Sequence, residues 1–395
     1  MSPTVVLPAA VPRVTSRVPA IDVVRGLAMV IMALDHIREF WCPTAVRPED
    51  VTQASALLFF TRWITHFCAP TFAFLAGVSI FLYQQKQGSR AAVSRFLLTR
   101  GLWLIGLEVL VINFILQWGY QLIVLEVIWV LGWGMLMLAG LIWLPRWLTA
   151  GLALAILLGH NALPAVQPVT AANWGRALLY GSPFVLPLPP PWPPLLVAYT
   201  ILPWVAVVAV GYVVGPWFQQ PWPQRARWLR RAGAGLLGLF VLLRATNWYG
   251  DPAPWSVQSR GLLYSALSFI NVTKYPPSLL FLSLTLGVAL LLLAAAEGLP
   301  GRLRQWLSTY GRVPLFYFLL HLAFISAGAF LWTALAFGKS VNLAFAPPGG
   351  LPAAYHANLL RAYMVWIVVV ALLYWPCRWY QGFKQRHTYW WLAYL

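Results

Sequence analysis

Long apolar runs recur along this chain so often that one fold class is left open. A membrane-crossing helix needs about 20 such residues to span about 30 Å of hydrocarbon. Ten runs approach or exceed that length, at about 20–41, 57–83, 96–116, 120–144, 147–163, 194–216, 231–246, 277–296, 313–337 and 361–380. The fifth and seventh are short. Only 9% of the 395 residues are charged, against about 25% in soluble domains. In lipid each backbone N–H and C=O must be satisfied within the protein, which helices do by themselves. The expected fold is therefore all-α: a polytopic membrane helix bundle of about ten transmembrane helices, forming a single domain over residues 1–395.

The net charge of +18 is explained by topology. With the N-terminus inside, 17 of the 27 Lys and Arg residues fall on the cytoplasmic side, as the positive-inside rule requires. Both termini are then cytoplasmic, with residues 1–19 as a cytoplasmic tail. The longer outer segments, 164–194, 245–277 and 338–360, become periplasmic loops of a multi-pass protein in a bacterial inner membrane. The first of them is proline-rich (GSPFVLPLPPPWPP), and their aromatic content fits an ordered rim at the outer mouth. No basic, aromatic-interleaved groove is present, so no nucleic acid is expected as partner. Cys42, Cys68 and Cys377 show no ligand spacing, so no metal site is expected either.

Chemistry is concentrated in the first run, Ile21–Trp41, which carries Asp22, Arg25, Asp35, His36, Arg38 and Glu39. Ionisable groups at membrane depth normally face a protein interior or a wet cavity and mark function. At about 100° per residue, Arg25 and His36 lie within about 20° of one stripe, separated by about 16 Å along the axis. A guanidinium near one membrane surface and an imidazole well inside suit a long anionic ligand with a reactive far end. The second run, FFTRWITHFCAPTFAFLAGVSIF, places Arg62, His66, Pro70 and Gly77 on one side. His66 is expected at a depth similar to His36 and facing it. Two histidines, with Asp35 to orient one imidazole, are sufficient for general-base work near neutral pH.

His321 reads as structural. Glu108, Asn113, Gln117 and Glu126 read as polar pairing between the third and fourth runs. In the 245–277 segment, Asn247, Asp251, Asn271 and Lys274 join Arg62 as expected substrate contacts. No Walker loop, GxSxG elbow or HExxH motif is present. Proton-coupled transport, or lipid or glycan flipping through the same cavity, is the alternative reading, with the histidines as protonation sites. Small-residue stretches such as AGAGLLGL permit helix contacts within a protomer as readily as in a homodimer.

The two histidine-bearing runs, together with LLRATNWYGDPAPW, LSFINVTKYPPSLL, GRVPLFYFLLHL and WWLAYL, resemble a bacterial membrane-protein family. That family is related to the catalytic domain of heparan-α-glucosaminide N-acetyltransferase. The eleven-residue step from Arg25 to His36 is also similar to the signature of acyltransferase-3 membrane proteins. These resemblances imply a transmembrane acyltransferase whose co-substrate is acetyl-CoA or another acyl-CoA, with no metal. They imply that Arg25 contacts the acyl-CoA phosphates and that His36 is the catalytic histidine. The implied acceptor is a hydroxyl or amine of a periplasmic molecule, a sugar above all. In the lysosomal enzyme an Asn aligns with His36 and an acidic residue with His66.

Overall fold

The computed structural model describes residues 18–163, 166, 169–170, 172–347 and 349–395. The expected tail lies outside the described residues except for its last two positions. Five positions of segment 164–194 and one of 338–360 also lie outside them.

The chain is mostly helical. Its helices of nine residues or more are α1 (Pro19–Trp41), α2 (Ala56–Gln87), α3 (Arg90–Gln117), α4 (Val127–Leu141), α5 (Arg146–Gly159), α6 (Ile201–Gln219), α7 (Trp222–Thr246), α8 (Leu262–Ile270), α9 (Leu279–Gly298), α10 (Gly301–Gly311), α11 (Pro314–Phe337) and α12 (Leu359–Arg386). Each of the ten expected runs holds a helix. Six of these, α2, α3, α6, α9, α11 and α12, are long and apolar enough to cross a membrane. The other four of the expected ten fall short of that length and composition for two physical reasons. α1 and α7 carry too many charges, and α4 and α5, with 15 and 14 residues, reach only about 21–23 Å at 1.5 Å per residue.

α1 is the hub. It packs against α2, α9, α10, α11 and α12, so most of its residues are buried. Asp22 and Arg38 are buried against protein, which is how a helix with such a composition is tolerated. Its crossing with α10 is set by two glycines. A Cβ on Gly26 would collide with the Leu307 carbonyl, and one on Gly311 with the Asp22 carbonyl. Gly77 and Gly211 play the same part where α2 crosses α6, against the Val208 and Phe74 carbonyls. Gly26→Ala is expected to lower the thermal midpoint of the detergent-purified protein, with overpacking costing about 1–3 kcal/mol. Gly106→Ala, where a Cβ meets nothing within 4 Å, is the control and should leave the midpoint unchanged or raised. Equal midpoints for the two variants would refute the close crossing.

Residues 120–126 are not helical, contrary to the expected fourth span. Strand β1 (Ile123–Leu125) pairs in parallel with β3 (Leu195–Val197), which pairs antiparallel with β2 (Phe184–Leu186). The polar residues of α3 account for the extended chain. The Asn113 side chain donates to the Val124 carbonyl at 3.0 Å and accepts from its N–H at 2.7 Å. Gln117 holds Leu122 the same way, at 2.6 and 3.0 Å. Two side-chain amides thus replace the backbone partners that a helix would have supplied.

Candidate active site

Two cavities lie along α1. The larger, of about 480 Å³, is lined by Arg25, Ser79, Tyr83, Phe96 and Arg100 at one end and by apolar residues such as Met29, Leu104, Leu131 and Phe318 elsewhere. Arg25 donates to Ser79 Oγ at 2.9 Å and to the Gly311 carbonyl at 3.3 Å, with Asp22 3.8 Å away. These contacts hold the guanidinium at the cavity wall. The smaller cavity, of about 50 Å³, is lined by Asp35, His36, Glu39, Thr65, Cys68, Glu126, Tyr199, Lys274 and Tyr275. Met32, Phe72 and Val127 line both. The Arg25 cavity and the His36 cavity therefore have three apolar side chains in common.

His36 lies 3.9 Å through Nδ1 from Glu39 Oε2. Its ring packs 5.3 Å from that of His321 and 6.3 Å from that of Phe318, centroid to centroid. The expected orienting role of Asp35 meets a different arrangement. Arg62 grips both Asp35 oxygens, at 2.7 and 2.5 Å, and Arg38 donates to Oδ1 at 2.8 Å. Arg62 also bonds Glu49 at 2.9 Å, and Arg38 bonds Glu39 at 3.2 Å. Two buried arginines and three carboxylates thus form one network, with Glu39 as the acid nearer His36. Burial alone would push the Glu49 carboxyl up, but Arg62 offsets this and holds it below its ordinary value.

His66 does not share the His36 cavity. It lines a third cavity of about 230 Å³ with apolar residues including Leu27, Ile31, Trp63 and Leu284, and its ring packs against Phe281 at 5.6 Å. The local cause is a tight turn at Ile64–Phe67 inside α2. Pro70 cannot donate to the His66 carbonyl four residues back. Four residues at three per turn advance the helix face by about 80° relative to α-helical winding.

The other expected contacts divide. Lys274 lines the His36 cavity, and Arg62 stands behind it, 3.5 Å from the Tyr275 hydroxyl. Asn247, Asp251 and Asn271 line neither cavity. Asn247, at φ 51°, exchanges bonds with the Trp255 backbone at 2.9 and 3.0 Å. Asp251 accepts from Thr273 N, Thr273 Oγ1 and Ser278 Oγ at 2.9, 2.8 and 2.6 Å. Asn271 donates to the Glu49 carbonyl at 2.8 Å. These three fix the loops around the site and have few bonds left for a substrate.

Sequence reasoning missed the site positions of Tyr199, Tyr275 and His321, and assigned Glu126 to helix pairing. Glu126 does adjoin Glu108, through a 2.9 Å bond from its N–H to Glu108 Oε1, but its side chain lines the small cavity. The one available signal was the rarity of acids in apolar runs. Among the described residues no three His, Cys, Asp or Glu side chains are grouped to hold a metal ion.

Six membrane-length helices around a buried polar centre define a multi-pass membrane protein. The family described as heparan-alpha-glucosaminide N-acetyltransferase, catalytic, matches residues 17–244, more than half of the chain. The chain belongs to that family, whose description points to a transmembrane acetyltransferase. No curated protein matches it. Arg25, His36, Arg62 and Glu126 lie inside the matched region; Lys274, Tyr275 and His321 lie beyond it.

Proposed function

We propose that this protein moves an acetyl or other acyl group from acyl-CoA to a hydroxyl or amine acceptor, with the two substrates entering from opposite membrane faces. The observation that carries the reading is that the Arg25 cavity and the His36 cavity lie against the same three side chains, Met32, Phe72 and Val127. Acyl-CoA enters from the cytoplasm, its phosphates near Arg25 and Arg100, and its flexible arm occupies the apolar cavity. The thioester passes Met32, Phe72 and Val127 to reach His36. A periplasmic acceptor, a sugar in the reading favoured here, meets it there and gives its proton to the imidazole. Holding both substrates in one geometry can supply about 7–11 kcal/mol of barrier lowering, so no acyl-enzyme is required. The bacterial inner membrane, with both termini cytoplasmic, is the setting that fits the charge asymmetry.

Calorimetry of acetyl-CoA with the detergent-purified protein tests this reading. Wild type should bind, and Arg25→Ala should bind about 10–100-fold more weakly, since a hydrogen bond to a charged group contributes about 1.5–3 kcal/mol. A folded wild type that binds neither acetyl-CoA nor a longer acyl-CoA would sink the transferase reading and put transport first.

A further inference from the structure

Lys274 is only 8% exposed, yet no carboxylate pairs with it among the described residues. Asp35, Glu39 and Glu49 face Arg38 and Arg62 instead, while Glu126 lines the same cavity as Lys274 without forming an ion pair with it. The Lys274 ammonium lies over two ring faces, 5.0 Å from the centroid of Tyr275 and 5.8 Å from that of Tyr199. Aromatic faces attract a cation weakly compared with a carboxylate. A buried ammonium normally requires a counter-charge, and this one borders the cavity that also holds His36. The cavity is small, which keeps the charge close to whatever reacts there.

We infer that Lys274 supplies the positive charge that stabilises the oxyanion formed when the acceptor attacks the thioester beside His36. This rests on the transferase reading above. The acceptor's lone pair forms a bond to the thioester carbon while its proton passes to His36. The carbonyl π pair moves onto oxygen, where the Lys274 ammonium faces it. Collapse of that intermediate restores the carbonyl, breaks the C–S bond and releases CoA thiolate. The thiolate takes the proton back from the imidazolium, so the enzyme returns to its starting state. Preorganised charge aimed at a developing oxyanion is commonly the largest single catalytic contribution. Lys274 also lies outside the family-matched region, so the match itself gives it no role.

The test is CoA-thiol release from acetyl-CoA with glucosamine as the amine acceptor, alongside calorimetry of acetyl-CoA. Lys274→Met is expected to lower kcat about 10²–10³-fold with the KM for both substrates nearly unchanged, the size seen when one oxyanion donor is lost. Lys274→Arg keeps the charge and should recover part of that loss, which a purely structural residue would not produce. Lys274→Met that binds acetyl-CoA and turns over at the wild-type kcat overturns the Lys274 role alone. A raised KM for glucosamine with kcat unchanged also overturns it and makes Lys274 an acceptor contact. A wild type that neither binds acetyl-CoA nor releases thiol overturns the transferase reading, and this role with it.

Discussion

His36→Gln is expected to lower the rate of acetyl transfer by about 10²–10⁴-fold, the usual contribution of a positioned general base, while acetyl-CoA still binds. The separation of effects follows from the two cavities. Arg25 and Arg100 lie in the larger one, His36 lies in the smaller, and only Met32, Phe72 and Val127 are common to both. Glutamine keeps most of the volume and some hydrogen bonding but cannot accept and return a proton. Thiol release and calorimetry on the same preparation read both quantities. If His36→Gln turned over at the wild-type rate, the base would have to be another group on that cavity, and Glu126 would be examined next. A loss of acetyl-CoA binding in the same variant would place His36 in the donor site and end the two-compartment reading.

Arg62→Leu is expected to be the most destabilising polar substitution, at about 3–5 kcal/mol, because it strands buried charge. Arg62 is the only described residue that bonds both Asp35 and Glu49, and its own side chain is just 8% exposed. Removing it leaves Asp35 with Arg38 alone and Glu49 with no arginine within bonding distance. The double variant Asp35→Leu/Arg62→Leu should regain part of the loss, since deleting both members of a buried pair is often nearly neutral. Thermal unfolding in detergent, followed by intrinsic tryptophan fluorescence, measures all three. A single variant with an unchanged midpoint would show that the network is held in place by its surroundings and contributes little itself.

The long apolar helices were legible because membrane hydrocarbon imposes one length and one polarity on each span. α1 was equally legible as the unusual helix, since six ionisable groups in one apolar stretch have few benign explanations. What periodicity could not supply was the partner of each charge. Asp35 sits beside His36 in sequence, but successive helical residues point about 100° apart, and the side chain turns to Arg38 and Arg62. The turn at Ile64–Phe67 moved His66 to another cavity, although Pro70 had marked the place. Residues 120–126 are apolar in either conformation, and only the bonds from Asn113 and Gln117 make them extended. α10 escaped notice because its basic sequence, GRLRQWLSTYG, reads as a loop until its glycine is seen against α1. His321 and Tyr199 reach the site through tertiary packing, for which one sequence offers no rule.

On the proposed reading the protein passes an acyl group through a membrane and must do so without discharging the ion gradients across it. The three side chains common to the two cavities suit this by their composition. A thioether, a phenyl ring and an isopropyl group offer water no hydrogen bonds, and apolar constrictions of this kind close by dewetting. Met32 and Phe72 are themselves almost fully buried, at 6% and 9% exposure. A neutral thioester on a long, narrow arm loses little hydration in passing such side chains, whereas a proton or a sodium ion would lose far more.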